Sequence, residues 1–350
     1  ANIPFVVTRC EAFKKAVRKT SQARRSYLPP SYHDLRKTLL VERKEVLKSK
    51  IERRYSKTIL SFGATISSDS WSNVTNRPLL NIMLVSPAGE QFLGAIDSTR
   101  EEKTAQYISD TLETYIEEVG SKNVVQICTD NASNMRSAWK KLETKYLHLF
   151  FQGCAAHIMN LLLGDWGQQP WISNLIKDAR RIVTFIKIRH MPLAIFRDHE
   201  KKYTLQAPRK TRFASNFIMV DRLLKVRSSL EQMVVDPRWT TYCRTLRDKD
   251  TKTKPRTTSR LVKMFILQEG FWNHAENFVD LVLPIVLALK EFDGKSPCMG
   301  KVWQIMKNLT KFVSNLQKGE MKVPPALAET MLEQFEKRKK MLTTDLHYVG

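Results

Sequence analysis

Hydrophobic and polar positions divide the chain into three successive segments. Residues 1–57 show few strand signals, and a Pro29-Pro30 break there is followed by Ser31, a suitable N-cap. The helix that it would begin has one apolar face, formed by Leu35, Leu39, Leu40 and Val46. We therefore predict a basic, helical N-terminal segment. Its Lys and Arg residues either form a solvated surface or contact DNA directly.

Residues 58–165 contain the strand patterns. The first three predicted strands form an antiparallel meander with a turn at 87–90: Ile59–Ser68, Leu79–Ser86 and Gln91–Asp97. Helices and short strands then alternate: helix Thr104–Val119, strand Val124–Cys128, a helix through Trp139 and Leu142, strand His148–Phe151 and helix Cys154–Leu163. The order β-β-β-α-β-α-β-α implies parallel strands with crossover helices in its second half.

Residues 166–350 show helical spacing and no convincing strands. The predicted helices are Ile172–Ile188, Asn216–Val234, Leu261–Val279, Leu281–Leu289, Val302–Leu316 and Leu327–Met341. The segment Arg244–Lys263 is rich in Lys and Arg and almost free of apolar residues before Leu261, which predicts a mobile basic loop. This loop either grips phosphates through residues such as Lys252, Lys254 and Arg256 or is only solvated.

Charge is the unusual feature of the composition. Lys and Arg total 58 against 35 acidic residues, a formal net charge of +23. Self-repulsion of this size is usually offset by a polyanionic partner. DNA or RNA is the first candidate, because neutralised phosphates release counterions, and an acidic membrane surface is the second. No stretch approaches the roughly 18 apolar residues of a membrane span, and no signal peptide is expected.

The cysteines indicate a reducing compartment. Five of them are scattered along the chain, an odd number that argues for free thiols in the cytosol or nucleus. No CxxC pair occurs, so we expect no structural zinc.

Two aspartates follow predicted strands at the positions where open α/β sheets place their sites. Asp69 follows the first strand and Asp130 follows Val124–Cys128. If these strands are neighbours, the carboxylates lie within one or two strand spacings of about 4.8 Å and favour a divalent cation such as Mg²⁺. Each aspartate alone is more typical of a helix N-cap. Their shared position on a basic chain strengthens the metal hypothesis.

Four ordered motifs resemble those of the hAT superfamily of DNA transposases. Ser68-Asp69-Ser70-Trp71-Ser72 resembles the first acidic motif, and Cys128-Thr129-Asp130-Asn131-Ala132-Ser133-Asn134 the second. Cys154-Ala155-Ala156-His157 resembles the C-x-x-H motif. Lys210-Thr211-Arg212-Phe213-Ala214-Ser215 resembles the motif that opens the helical insertion. The stretch 30–36 is similar to the segment before the core in plant hAT-type proteins.

The resemblance implies an α/β plus α fold: an RNase H-like core at 58–165 after a basic helical segment at 1–57, with a helical insertion domain at 166–350. It further implies a nuclear, DNA-binding protein and Mg²⁺- or Mn²⁺-dependent cut-and-paste transposition. Asp69 and Asp130 would be the catalytic, metal-binding acids. The supporting or DNA-binding residues would be Cys154, His157, Arg212, Phe213, Lys252, Lys254 and Arg256.

Two departures bear on activity. Phe213 stands where family members usually have a Trp that stacks on a flipped base, so that stacking is expected to be weaker here. The family's third acid is a Glu on a helix after the insertion, and no residue of this chain matches it. We expect the chain to end inside the insertion, without the BED finger and without the C-terminal region through which the full-length parent would form homo-oligomers.

Several alternatives stay open at this stage. The i, i+3 pair Cys154 and His157 either supports the active site or is ordinary structure, with His157 half-buried and hydrogen-bonded. Asp97 and Asp165 are weaker candidates for an extra acid. The chain is either the core of a metal-dependent transposase or a silent, transposase-derived DNA- or protein-binding regulator. An RNase H-type nuclease acting on RNA is a third reading.

Overall fold

The computed structural model describes residues 4–73, 75–208, 214–246, 255–294, 298–317, 323–344 and 346–349. The chain forms two compact units, one of Ala1–Gly63 with Ser86–Gln91 and one of Ala64–Val85 with Phe92–Gly350. Among the described residues, no helix combines the length and the apolar character needed to cross a lipid bilayer.

The first unit is helical, as its sequence predicts. A 3-10 turn at Phe5–Arg9 precedes three helices: α1 (Glu11–Ser21), α2 (Tyr32–Arg36) and α3 (Thr38–Phe62). Ser31 is confirmed as a cap. Its hydroxyl accepts the N–H of Asp34, and the Asp34 carboxylate accepts the N–H of Ser31, a reciprocal capping box. The predicted helix is therefore divided at Lys37 into α2 and α3.

The end of α3 corrects the first predicted strand. Ile59–Phe62 continue α3, Gly63 adopts a φ of 72° after it, and β1 begins only at Ala64. The run Ile59-Leu60-Ser61-Phe62 is apolar enough for either structure, and the helix persists because Tyr55 and Ile59 continue one helical face. A positive φ suits glycine, so Gly63 is where the chain leaves the helix. Asp69 consequently lies within β1, not beyond a strand.

Five strands form one mixed sheet. They are β1 (Ala64–Ser72), β2 (Pro78–Ser86), β3 (Gly89–Asp97), β4 (Val124–Thr129) and β5 (Phe150–Gly153), in the spatial order β3-β2-β1-β4-β5. β1 pairs antiparallel with β2 and parallel with β4, and β4 pairs parallel with β5. The predicted α/β class and the order β-β-β-α-β-α-β-α are confirmed.

The register between β1 and β4 contains one irregularity. Ala64 pairs with Val124, but Thr65 pairs with Gln126, so Val125 is an extra residue on β4. After this bulge the pairing is regular up to Ser68 opposite Thr129.

Two crossover helices complete what we call the sheet region, β1–β5 with α4 and α5. α4 spans Ala105–Val119, and its N-cap Thr104 accepts the N–H of Tyr107 at 3.1 Å. Gly120 follows with a φ of 90°, as the sequence predicts for a glycine that ends a helix. α5 spans Ser133–Lys145.

The helical region, α6–α16, contains most of the buried apolar side chains. Its members are α6 (Ala155–Gly167), α7 (Pro170–Lys187), α8 (His190–His199), α9 (Ala214–Lys225), α10 (Arg227–Val235), α11 (Pro237–Thr245), α12 (Pro255–Leu267), α13 (Glu269–Phe292), α14 (Met299–Gln317), α15 (Pro325–Leu342) and α16 (Leu346–Val349). One hydrophobic cluster runs through it from Ile158 to Leu342.

The helical region corrects three predictions. The predicted helices Leu261–Val279 and Leu281–Leu289 are wrong at their boundary, since α12 ends at Leu267 and α13 runs from Glu269 to Phe292. The predicted helix Asn216–Val234 is two helices, α9 and α10, which meet at Val226. The predicted basic loop Arg244–Lys263 is wrong at its ends, since α11 extends to Thr245 and α12 begins at Pro255. Pro255 is placed where proline favours the start of a helix, and the apolar side chains that α12 buries, Val262 and Ile266, come late in it.

Polar contacts join the sheet region and the helical region. The buried Gln152 of β5 contacts Gln126 of β4 at 2.9 Å and Nε2 of the buried His347 at 2.7 Å. The N–H of Thr344 donates to Nδ1 of His347 at 3.1 Å.

Within the helical region, α6 is held to α15 by two contacts. Arg338 makes a bidentate ion pair with Asp165, at 2.7 and 3.0 Å, and both side chains are largely buried. The indole of Trp166 donates to the carbonyl of Met331 at 3.3 Å. Asp165 is therefore a structural residue.

Candidate active site

Strand pairing brings Asp69 and Asp130 together. Ser68 of β1 lies opposite Thr129 of β4 in the last pair of the parallel register, and Asp69 and Asp130 directly follow these two residues. Asp69 is exposed and Asp130 is partly buried. The sequence predicted this adjacency but placed Asp69 after a strand, whereas it lies inside β1, opposite Asn81 of β2.

The carboxylate of Asp130 is held by two hydrogen bonds. Oδ1 accepts the N–H of Ala132 at 2.9 Å, and Oδ2 accepts the hydroxyl of Ser70 at 3.3 Å. The N-cap of α5 is Ala132, which has no side-chain cap, so Asp130 is not the N-cap. It instead orders the turn after β4, and its Oδ2 contact is long for a hydroxyl hydrogen bond.

Two buried polar atoms beside these acids have no hydrogen-bond partner within the described residues: Oγ of Ser68 and Nδ2 of Asn131. Asn131 also packs closely on β5. A Cβ added to Gly153 would fall 2.0 Å from Asn131 Nδ2, so glycine is required there unless the amide moves. Unsatisfied buried polar groups are uncommon in proteins and are a frequent feature of sites that take a water or ligand.

Cys154 lies next to the acids. Its N–H donates to the carbonyl of Thr129 at 2.7 Å, which extends the β4–β5 pairing to the N-cap of α6. Burial raises the pKa of the Cys154 thiol, and the nearby carboxylates of Asp69 and Asp293 raise it further. Cys154 is therefore a neutral thiol near pH 7. His157 is in the first turn of the same helix and is partly buried.

A second thiol lies under the same part of the sheet. Burial raises the pKa of Cys128 to about 12, and the neighbouring Cys154 and Cys298 raise it as well. All five cysteines are free, as the sequence predicts. Cys128 and Cys154 are packing groups, since a reactive cysteine requires a lowered pKa.

Asp293 is the residue that the sequence analysis missed. It follows α13, and its charge acts on the Cys154 thiol together with that of Asp69. No strand end or motif distinguishes it, because its position depends on how the helical region folds back on the sheet. Within the described part of the chain, no three His, Cys, Asp or Glu side chains form a set that could hold a metal ion.

The other predicted residues divide into two groups. Arg212, Phe213, Lys252 and Lys254 lie outside the described residues. Arg256 lies in the first turn of α12 and lines a cavity with other cations. Asp97 ends the edge strand β3, where Thr99 donates hydrogen bonds that lower its pKa.

Residues 30–182 match a family model. It is described as a domain of unknown function, DUF659, and that family is associated with hAT-like, transposase-related proteins. The matched range runs from α2 into α7 and contains the whole sheet, both aspartates and the Cys154–His157 motif. No curated protein matches the chain significantly.

Proposed function

We propose that this chain is the DNA-binding core portion of a hAT-type cut-and-paste transposase that acts in the nucleus. The observation that carries the proposal is the parallel register that sets Asp69 beside Asp130. The transposase-related association of the DUF659 match supports it, because the matched range contains both acids. The excess of basic residues supports a polyanionic substrate.

The two acids suit a hard divalent cation. Mg²⁺ is commonly held by one or two carboxylates and completes its shell with water and phosphate oxygens. Asp69 is exposed, Oδ2 of Asp130 has only one long contact, and the Asn131 amide beside them has no partner among the described residues. Asp69 and Asp130 would therefore hold the ion, which would stabilise negative charge on a reacting phosphodiester.

The surrounding residues would position these acids. Ser70 and the N–H of Ala132 orient Asp130. The Asn131 side chain packs on Gly153 and fixes the turn that follows β4. Cys154 is a neutral neighbour of Asp69, so the negative charge available to a cation comes from the two carboxylates. Strand cleavage and transfer would be carried out by a longer polypeptide that contributes a third acid.

Metal binding is the first test. Titration with Mg²⁺ or Mn²⁺ should raise the melting temperature of the protein, because a ligand that binds only the folded state stabilises it. The double variant Asp69→Asn with Asp130→Asn should lose this shift. The matched control, Asp110→Asn with Asp280→Asn, removes two exposed carboxylates elsewhere and should retain it. An equal shift in both variants would contradict the metal site.

Catalysis requires a separate experiment. A full-length parent polypeptide should nick a duplex that carries its matched terminal repeats, and its Asp130→Asn form should not. Nicking that survives Asp130→Asn would overturn the catalytic assignment.

A second candidate is a catalytically silent, transposase-derived DNA- or protein-binding regulator. The observation that favours it is the lack, among the described residues, of a third ligand beside Asp69 and Asp130. Salt-dependent DNA binding by a full-length parent that neither nicks DNA nor gains stability from Mg²⁺ would select it.

A further inference from the structure

A cavity of about 200 Å³ lies between α11 and α12. Its floor includes Trp239, which is fully buried and packs against Phe185 with ring centroids 5.7 Å apart. A large ring held in this way gives the cavity a rigid base.

Four cationic side chains line this cavity. Arg244 comes from the end of α11, and Arg256, Arg260 and Lys263 come from α12. The α12 residues have the i, i+4, i+7 spacing that places them on one helix face. Among the described residues that line the cavity, none is acidic. We call these four residues and the space between them the cationic cavity.

Cations elsewhere in the helical region are differently placed. Arg238, also on α11, contacts Asp198 at 2.6 Å and Asp236 at 2.8 Å. Arg227 contacts Glu231 and Glu269. Those charges are neutralised by carboxylates on the same helix, at its N-cap or on other helices. Arg244, Arg260 and Lys263 bring like charges from α11 and α12 to one cavity, an arrangement that an anion would stabilise.

The shape and chemistry of the cavity suit a phosphate group. Arginine presents a planar fork of donors that matches phosphate oxygens, and lysine adds a point charge. Arg244 and Arg260 are exposed at the cavity mouth, while Lys263 is partly buried. An anion could therefore enter from solvent and contact both the exposed arginines and the partly buried lysine.

We propose that the cationic cavity binds a backbone phosphate of duplex DNA and so fixes the helical region on its substrate. The choice of DNA rests on the proposed function, and the phosphate chemistry rests on the cavity itself. Phosphate contacts of this kind position a protein on DNA and carry no sequence information. The cavity would therefore contribute affinity that is independent of sequence and sensitive to salt.

The test is duplex binding measured by fluorescence anisotropy across a series of salt concentrations. Arg244→Gln with Arg260→Gln should weaken binding about tenfold at low salt and reduce the slope of log affinity against log salt by about one to two. The control Lys307→Gln with Lys311→Gln removes the same charge from exposed positions on α14 and should change affinity less than threefold. Arg244→Lys with Arg260→Lys should keep most of the slope.

The outcomes separate the two proposals. Wild-type affinity and slope in the Gln variant, with its melting temperature unchanged, would overturn the cavity assignment and leave the Asp69–Asp130 site standing. Equal losses in the Gln variant and the α14 control would also overturn it, since only total charge would then matter. If wild-type protein bound no duplex, or the cavity captured an acidic peptide in preference to DNA, the DNA assignment itself would fail.

Discussion

The sheet region and the helical region assemble their charged groups by different routes. In the sheet region, Asp69 and Asp130 belong to strands that are far apart in sequence and become neighbours through one parallel pairing. In the helical region, the cationic cavity comes from α11 and α12, which follow one another along the chain. The acids were recognisable from sequence because each follows or ends a strand pattern. The cavity was not recognisable from sequence, because a segment so rich in Lys and Arg is typical of a loop and gave no indication of the helices that line the cavity.

The regions should differ most in what their tryptophans contribute to stability. Trp239→Ala removes a fully buried ring from the floor of the cavity and should lower the free energy of unfolding by about 3–5 kcal/mol. Trp71→Ala removes a ring that is 48% exposed on β1 and should change it by less than about 1 kcal/mol. Urea denaturation measures both. Equal effects would show that the cavity floor is not a packed part of the fold.

Ion pairs provide a second, smaller contrast. Arg338→Met leaves the largely buried carboxylate of Asp165 without its bidentate partner and should cost about 1–3 kcal/mol. Arg77→Met removes an exposed contact of 3.7 Å to Asp97, which solvent screens, and should lower the free energy of unfolding much less than Arg338→Met does. Chemical denaturation again gives the two values. Adding Asp165→Leu to Arg338→Met should recover much of the loss, and no recovery would mean that Arg338 acts through packing alone.

The smallest expected effect is a pH dependence at the junction of the two regions. Burial lowers the pKa of His347, and its Nδ1 already accepts the N–H of Thr344. Above the pKa of about 6.5 in the unfolded chain, the ring is neutral in both states and carries no penalty. Below it, the unfolded state binds the proton more readily, so stability should fall as pH decreases, by at most about 1.4 kcal/mol per pH unit.

The His347 prediction is checked by denaturation at pH 7.5, 6.5 and 5.5. His347→Gln should be less stable than wild type at pH 7.5 and should lose part of the decline toward pH 5.5. The same decline in both proteins would assign the pH dependence to other groups.

Local signals in the sequence were sufficient to predict much of the secondary structure of the sheet region. α4 begins after Thr104 and ends before Gly120, as expected, because helix capping depends on a few adjacent residues. The start of β1 was wrong, since the apolar run before Gly63 fits a helix or a strand and only packing decides between them. The position of Asp293 beside Cys154 had no local signal.

The helical region was harder to predict for a similar reason. α8 and α11 are short, and neither has the long apolar stripe that identifies α7 or α13. Pro255 and the Thr, Ser and Arg residues after it are typical of a loop, yet they begin α12. The segment becomes a helix because Val262 and Ile266 reach the shared core, which is a tertiary effect.

The extra residue on β4 determines which one-residue deletions the acidic site would tolerate. Val125 lies between the Ala64–Val124 pair and the Thr65–Gln126 pair, so deleting it would leave the register from Thr65 to Ser68 unchanged. Deleting a residue between Gln126 and Thr129, with the pairs before it held, would instead move Asp130 by one position relative to Asp69 and turn its side chain to the opposite face of the sheet.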